Sequence, residues 1–370
     1  MKKQNLIAIL GLFALFIVAF SSGRVIAPAN AQGVVGGVYI MTNSASGNQV
    51  IAYSRGPDGI LSWQATFATN GLGTGNGLGN QGGLVLSQDG QWLIVVNAGS
   101  NDISLFRVSH NGLTLTDKTS SQGSTPISVT EHGNLVYVLD AGGLSNIGNI
   151  AGYSLNDNGQ LSAIAGSVQP LSGVTAPAQI SFNPSGTVLV VTEKTTNKID
   201  TFTLNRQGVA SAPNVQASGG ATPFGFGFTR SGTLIVSEAA GGPSGTSAVS
   251  SYAISDNGDL TTLSGSVPDT QQAACWIAVT GNGQFAYTTN THSNTISSYS
   301  VNDGNIKLQD AVAASTDHGP LDMALARNSH FLYVFNSGSH TIEGFSVNAN
   351  GSLTWIDTIT TTGADGLAAN

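Results

Sequence analysis

Three carboxylates, Asp140, Glu193 and Glu238, each end a short run of β-forming residues, LVYVLD, VLVVTE and TLIVSE. Four carboxamides end the same kind of run: Asn43, Asn97, Asn290 and Asn336. Carboxylates brought close together repel one another, so one of a set can titrate late and serve as a general acid or base. The same oxygens suit a hard cation such as calcium, but no calcium-loop signature accompanies them. An asparagine at a strand end caps a turn and tolerates left-handed backbone. Lys194 follows Glu193 directly and can neutralise it. Gln179 and Asp322 stand early in two further strands, and Asp317-His318 pairs an acid with an imidazole on a loop. No paired cysteines, His-Glu-x-x-His set or Gly-x-Ser-x-Gly elbow is present, so neither a metal nor a cofactor is expected. Gly77-x-Gly79-x-x-Gly82 matches a dinucleotide fingerprint in form only. No strand leads directly into it and no helix follows, so a flap or a closely packed backbone is expected there.

The elements that carry these residues repeat. The seven run ends are separated by 43 residues (Asn97 to Asp140) to 54 residues (Asn43 to Asn97). A β-patterned period of this length is the mark of a propeller. A second register counts the same way. VIAYS, ISLFRV, IAGYSL, IDTFTL, VSSYAI, ISSYSV and IEGFSV each precede a turn such as Asn111-Gly112 or Asp303-Gly304, where glycine supplies the positive φ of a hairpin. An inner strand starts near Gly83, Pro126, Pro177, Pro223, Ala274 and Pro320, but the first unit has none of its own. Gly366-Leu-Ala-Ala-Asn370 resembles Gly83-Leu-Val-Leu-Ser87, so the C-terminus is expected to supply it. The chain therefore reads as all-β, a seven-bladed β-propeller of four-stranded antiparallel blades closed by its C-terminal strand. In such a blade the loop after the second strand and the loop between blades share one face. The seven run ends are expected to ring the channel mouth on that face.

Composition agrees with this reading. Charged residues make up 9% of the chain against a usual value of about 25%, and 48 glycines fit short strands and tight turns. Lys2 and Lys3, the apolar run Leu6 to Phe20 and Ala29-Asn30-Ala31 form a secretory signal peptide, cleaved after Ala31. The expected organisation is residues 1–31 as signal and 32–370 as propeller, with no membrane span left after processing. The exported protein belongs in the periplasm, outside the cell or at its surface, as a monomer. Removing Lys2, Lys3 and Arg24 leaves 9 basic against 20 acidic residues, a formal charge of −11. That charge excludes nucleic acid as a partner. The single Cys275 sits in AACWIAV and reads as a buried thiol.

The segments TPISVTEHGNLVYVLD and APAQISFNPSGTVLVVTE, with ISSYSV-type strands, resemble the seven-bladed lactonase family, which includes 6-phosphogluconolactonases. NAGSNDIS, NTHSNTIS and NSGSHTIE are similar to the YVTN repeats of secreted and surface propellers. The resemblance implies a glutamate at Glu193, which is present. It also implies an Arg-His pair after Pro177, where Ala178 and Gln179 stand, and an arginine after Pro320, where Leu321 and Asp322 stand. A phosphosugar needs Arg or Lys donors, and only Lys194 is near. The expected role is an exported, noncatalytic propeller that binds a carbohydrate, peptide or protein at the channel mouth. Gln179, Lys194, Asn97, Asn290, Asn336, His318 and Asp322 are its candidate contacts. The alternative is a hydrolase opening a neutral lactone, with Glu193 as general base, Glu238 or Asp140 as its partner and Gln179 holding the substrate.

Overall fold

The computed structural model describes residues 34–143, 146–240 and 246–370. The signal segment read over residues 1–31 lies outside them. Seven antiparallel sheets follow one another along the chain, here numbered blade 1 to blade 7. Blades 2 to 7 begin with the inner strands Leu84–Leu86, Pro126–His132, Pro177–Phe182, Pro223–Phe228, Ala274–Val279 and Pro320–Leu325. Each runs in order to an outer fourth strand, which in blade 3 is broken into Leu161–Ala163 and Gln169–Pro170. No helix among the described residues is long and apolar enough to cross a membrane.

Blade 1 takes its inner strand from the other end of the chain. Asp365–Ala369 pairs antiparallel with Gly36–Met41, with Tyr39 opposite Ala368 and Ile40 opposite Leu367. The junction is fixed from both sides. Arg55 Nη2 donates to the Asn370 carbonyl at 2.9 Å, and the Leu367 amide donates to Asp322 Oδ2 of blade 7 at 3.0 Å. Closure removes the open edges of a linear array. Deleting residues 361–370 exposes the inner faces of blades 7 and 1, and is expected to lower the melting temperature by on the order of 10 °C. An unchanged melting curve by circular dichroism would show that the ring does not depend on this strand.

The core lies between blades. Second strands such as Trp92–Asn97 and Val188–Glu193 are buried along their whole length, because both faces meet a neighbouring blade. Outer strands such as Leu353–Thr360 alternate between exposed and half-buried positions. The aromatic slot of the third strand (Tyr53, Phe106, Tyr153, Phe202, Tyr252, Tyr299 and Phe345) is buried throughout. Its tyrosines also tie down the crossovers between blades. Tyr153 Oη donates to the Ser120 carbonyl at 2.6 Å, and Tyr252 Oη accepts from the Gly219 amide at 2.7 Å.

Asparagine recurs in the loops after the second strand for a similar reason. Asn101, Asn197 and Asn294 adopt left-handed backbone, which asparagine tolerates. Their side-chain oxygens accept from the amides of Thr125, Thr222 and Gly319 at the start of the next blade, at 2.7–2.8 Å.

Candidate functional site

In six blades the run end stands four residues past the residue that faces the third-strand aromatic, as Leu93 faces Phe106 and Leu189 faces Phe202. In blade 1 the pair is Val38 and Tyr53, which puts Thr42, not Asn43, in that place. Blade 1 is out of step because Asn48 does the bonding there. Its Nδ2 donates to Asn97 Oδ1 at 3.0 Å and to the Val96 carbonyl at 3.1 Å.

All the run ends are buried, and the bonds they make are to their own blade and the adjoining crossovers. Asn97 Nδ2 donates to Asp102 at 2.7 Å and Ser104 at 2.8 Å on the third strand, while Asn97 Oδ1 accepts from Thr69 on the preceding crossover at 2.7 Å. Asn290 Nδ2 repeats the donations with Thr295 and Ser297, and Asn336 Nδ2 with Thr341 and Glu343, while the Oδ1 of each has no partner. The acids do the same work as acceptors. Asp140 takes the Ser121 hydroxyl at 2.6 Å. Glu193 takes the hydroxyls of Ser172 and Thr196 at 2.7 Å each. Glu238 takes those of Ser250 and Ser266 at 2.5 Å each. Each of the three is enclosed with a different set of hydroxyls.

Burial moves the protonation of Asp140 and Glu238. It pushes Asp140 up to about 7 against the pull of Ser121 and Asn149, and raises Glu238 despite its serines. Beside Glu193 lies Asp200, wholly buried with no donor to either oxygen. Burial first and the neighbouring Glu193 second push Asp200 up to about 8. A protonated Asp200 is placed to donate to Glu193. Sequence reading missed Asp200. The available signal was its position, seven residues past the run end, where Ser104, Ser297 and Glu343 stand in other blades.

The channel mouth is built by a different set. In blades 3 to 7, two residues past the inner-strand start and at a local break in register, stand Ser128, Gln179, Gly225, Trp276 and Asp322. Three of them grip the next blade. Ser128 Oγ accepts from the Ile180 amide at 3.1 Å. Gln179 clasps both backbone groups of Phe226, accepting from N at 2.7 Å and donating to O at 3.1 Å. Asp322 takes the Leu367 amide, as described above. Between blades 5 and 6 the position is Gly225, which has no side chain to offer.

The missing grip comes from the glycine tract. Gln81 accepts from the Ile277 amide at 3.1 Å and donates to the Ile277 carbonyl at 2.8 Å, the same clasp that Gln179 makes one seam earlier. A Cβ on Gly225 would overlap the Gln81 carboxamide, so glycine there is what admits it. The surrounding residues also bond across the channel. The Gln81 amide donates to the Ala178 carbonyl at 3.1 Å, and its carbonyl accepts from Ser128 at 2.7 Å. Trp276 Nε1 donates to the Asn80 carbonyl at 2.7 Å, and Asn80 Nδ2 donates to the Ile127 carbonyl. The Leu78 amide donates to Asp365 Oδ2 at 3.1 Å. Residues 78–82 thus touch the inner strands of blades 3, 4, 5 and 6 and the closing strand. They fill the mouth as a closely packed backbone, the second of the two forms expected for this tract.

Lys194 and His318 take different positions. Lys194 Nζ donates to the Gly79 carbonyl and lies 4.7 Å from the centre of the Phe224 ring. Burial lowers it to about 8, against the pull of Cys275 and Asp365. Asp365 is pushed up to about 7 by burial, and Asp322 is raised by burial and by Asp365. Lys194 and Asp365 therefore bond the segment 78–82 directly, while Gln179 bonds Phe226 and Asp322 bonds Leu367 on the adjoining inner strands. His318 stands outside this group, exposed on the crossover into blade 7, with its amide on Ser339 Oγ at 2.8 Å. No cluster of three or more metal-ligating side chains occurs among the described residues. The Cys275 thiol is buried and pushed up to about 11.

The sequence profile described as Lactonase, 7-bladed beta-propeller matches residues 38–169 and 247–365. Among curated proteins, none matches the chain significantly. A periplasmic gluconolactonase of Pseudomonas aeruginosa superposes with a TM-score of 0.67 at 17% identity, over 90% of this chain and 98% of that one. A Bacteroides fragilis protein provisionally described as a 6-phosphogluconolactonase gives 0.72 at 16%, over 92% and 99%. A Lactobacillus plantarum protein gives 0.71 at 17%, over 90% and 99%. At these identities the likeness is one of fold.

Proposed function

Because the chain belongs to the seven-bladed lactonase propeller family, we propose that it keeps the family scaffold as an exported binding protein without the lactone chemistry. The observation that carries this reading is the occupation of the channel mouth by residues 78–82, with Gln81 bonded to Ile277 as a ligand would be. The carboxylates a hydrolase would use are committed elsewhere. Glu193 spends both oxygens on Ser172 and Thr196, and a general base must reach the water it activates. Gln179 is buried and its carboxamide is held by both backbone groups of Phe226, which fixes it on the neighbouring blade. A carbohydrate, peptide or protein ligand would then bind on the outer surfaces of the ring, from the periplasm or the cell exterior.

The purified mature chain is expected to open glucono-δ-lactone and 6-phosphogluconolactone no faster than buffer. Turnover above background that Glu193→Gln abolishes would overturn the proposal. It would support the second reading, a lactone hydrolase with Glu193 as base. One observation favours that reading: Asp200 is wholly buried beside Glu193, and that burial and the neighbouring carboxylate push it up towards neutral pH, which sets a group able to hold a proton next to the candidate base.

A further inference from the structure

Four second strands carry a tyrosine at one register, directly after the residue that faces the third-strand position of Tyr53, Tyr153, Tyr299 or Phe345: Tyr39, Tyr137, Tyr287 and Tyr333. Each packs against the next blade of the ring. Three of them end on a glycine in that blade's outer hairpin. Tyr137 Oη donates to the Gly208 carbonyl at 2.6 Å, Tyr287 Oη to Gly351 at 2.8 Å and Tyr333 Oη to Gly59 at 2.7 Å. Those glycines lie against Leu135, Phe285 and Phe331, two residues before each tyrosine, too closely for a Cβ. Tyr39 meets a different hairpin. The three turns above close between residues four apart, as Asn348 to Ser352 at 2.9 Å. In blade 2 the turn is shorter, with Ser109 opposite Gly112, and Ser109 Oγ itself donates to the Gly112 carbonyl at 3.0 Å. Two residues before Tyr39 stands Gly37, with no side chain. Both fillings of this seam are therefore missing, and a groove of about 300 Å³ opens there, on the face opposite the mouth. Tyr39, only 6% exposed, lines it with Gln64 of blade 1, Val108 and His110 of blade 2, and Asn370. Among the described residues it is the one tyrosine of eight whose hydroxyl has no hydrogen-bond partner. The Gln64 carboxamide has none there either, and no carboxylate, lysine or arginine lines the groove.

We propose that this groove binds a peptide turn, with a main-chain carbonyl of the peptide on Tyr39 Oη and a glycine at the contact. The ring itself shows that chemistry. At three seams the same tyrosine takes a glycine carbonyl, and in two places a glutamine carboxamide grips a backbone, Gln179 on Phe226 and Gln81 on Ile277. Gln64 offers the same free group beside Tyr39. The lining is neutral, as a peptide amide is, and a buried hydroxyl without a partner gains from any acceptor that reaches it. The proposal names the ligand class for the reading of this chain as a protein that binds on the outside of its ring, and it rests on that reading.

Isothermal titration uses an acetylated, amidated copy of residues 348–352, Asn-Ala-Asn-Gly-Ser, the turn that serves Tyr287. Saturable binding is expected, weaker by about tenfold when valine replaces the glycine, with no binding of cellobiose. Tyr39→Phe should weaken the peptide about tenfold, the value of one hydrogen bond, and leave the melting temperature unchanged, because that hydroxyl has no partner in the free ring. Tyr333→Phe removes a hydroxyl of the same register that is already bonded, so it should lower the melting temperature and keep the affinity within about twofold. No saturable binding, equal binding of cellobiose or of the valine peptide, or a Tyr39→Phe protein that binds like the parent or melts as early as Tyr333→Phe would each overturn the proposal. Lactone turnover is measured separately: its appearance would remove the reading beneath the proposal, whereas absent peptide binding without turnover would remove the groove alone.

Discussion

Gln81→Ala is expected to lower the stability of the folded ring by about 2–4 kcal/mol, since it leaves two backbone groups of Ile277 unpaired inside the channel at roughly 1–3 kcal/mol each. The melting temperature should fall by roughly 5 °C or more, and the Ile277 amide should lose protection from hydrogen exchange. The loss is large because the clasp is long-range: Gln81 belongs to the crossover between blades 1 and 2 yet bonds to blade 6. Gly225→Ala should be at least as damaging. An added Cβ there meets the Gln81 carboxamide, the Cys275 carbonyl and the Trp276 Cα. The double variant should then lose less than the sum of the two, because shortening Gln81 removes one of the three collisions. Unchanged melting and exchange in Gln81→Ala would mean that residues 78–82 do not occupy the channel in solution, and the argument against a catalytic mouth would lose its main support.

The blade count and the closure were legible because they rest on local patterns: apolar runs, Asn-Gly turns, and the likeness of Gly366–Asn370 to Gly83–Ser87. The direction of the run ends was not. A strand period tells which face a side chain takes, but the partners of Asp140 and Glu193 are hydroxyls on crossovers, Ser121 and Ser172, about twenty residues away. Blade 1 hid its register because Asn43 completes the pattern by eye while Asn48 carries the bonds. The filling of the mouth was illegible for a different reason. Gln81 and the backbone around it bond mainly to main-chain groups, which leave no mark in sequence. The one visible trace was Gly225 within PFGFGF, at the place where a neighbouring blade has Gln179.

The same burial that removes these carboxylates from an open site should make the protein most stable in acid. Asp200 is pushed up to about 8, and Asp140 and Asp365 to about 7, from an ordinary 3.8. Between pH 4 and pH 7–8 the folded chain therefore holds protons that the unfolded chain has released. Stability is fully present below the unfolded value and declines as pH rises towards the folded one. Each such proton contributes a slope of about 1.4 kcal/mol per pH unit inside its window. The melting temperature should thus be higher at pH 5 than at pH 8, by on the order of 10 °C. Asp200→Asn separates this cause from a general charge effect. The amide cannot ionise and can donate to Glu193 at any pH, so the variant should match the parent near pH 5 and exceed it at pH 8. A melting temperature that rises from pH 5 to pH 8, or a variant whose pH profile runs parallel to the parent's, would mean that Asp200 is ionised in the folded ring. Asp200 would then offer no acid beside Glu193, and the one feature that favours a hydrolase would be lost.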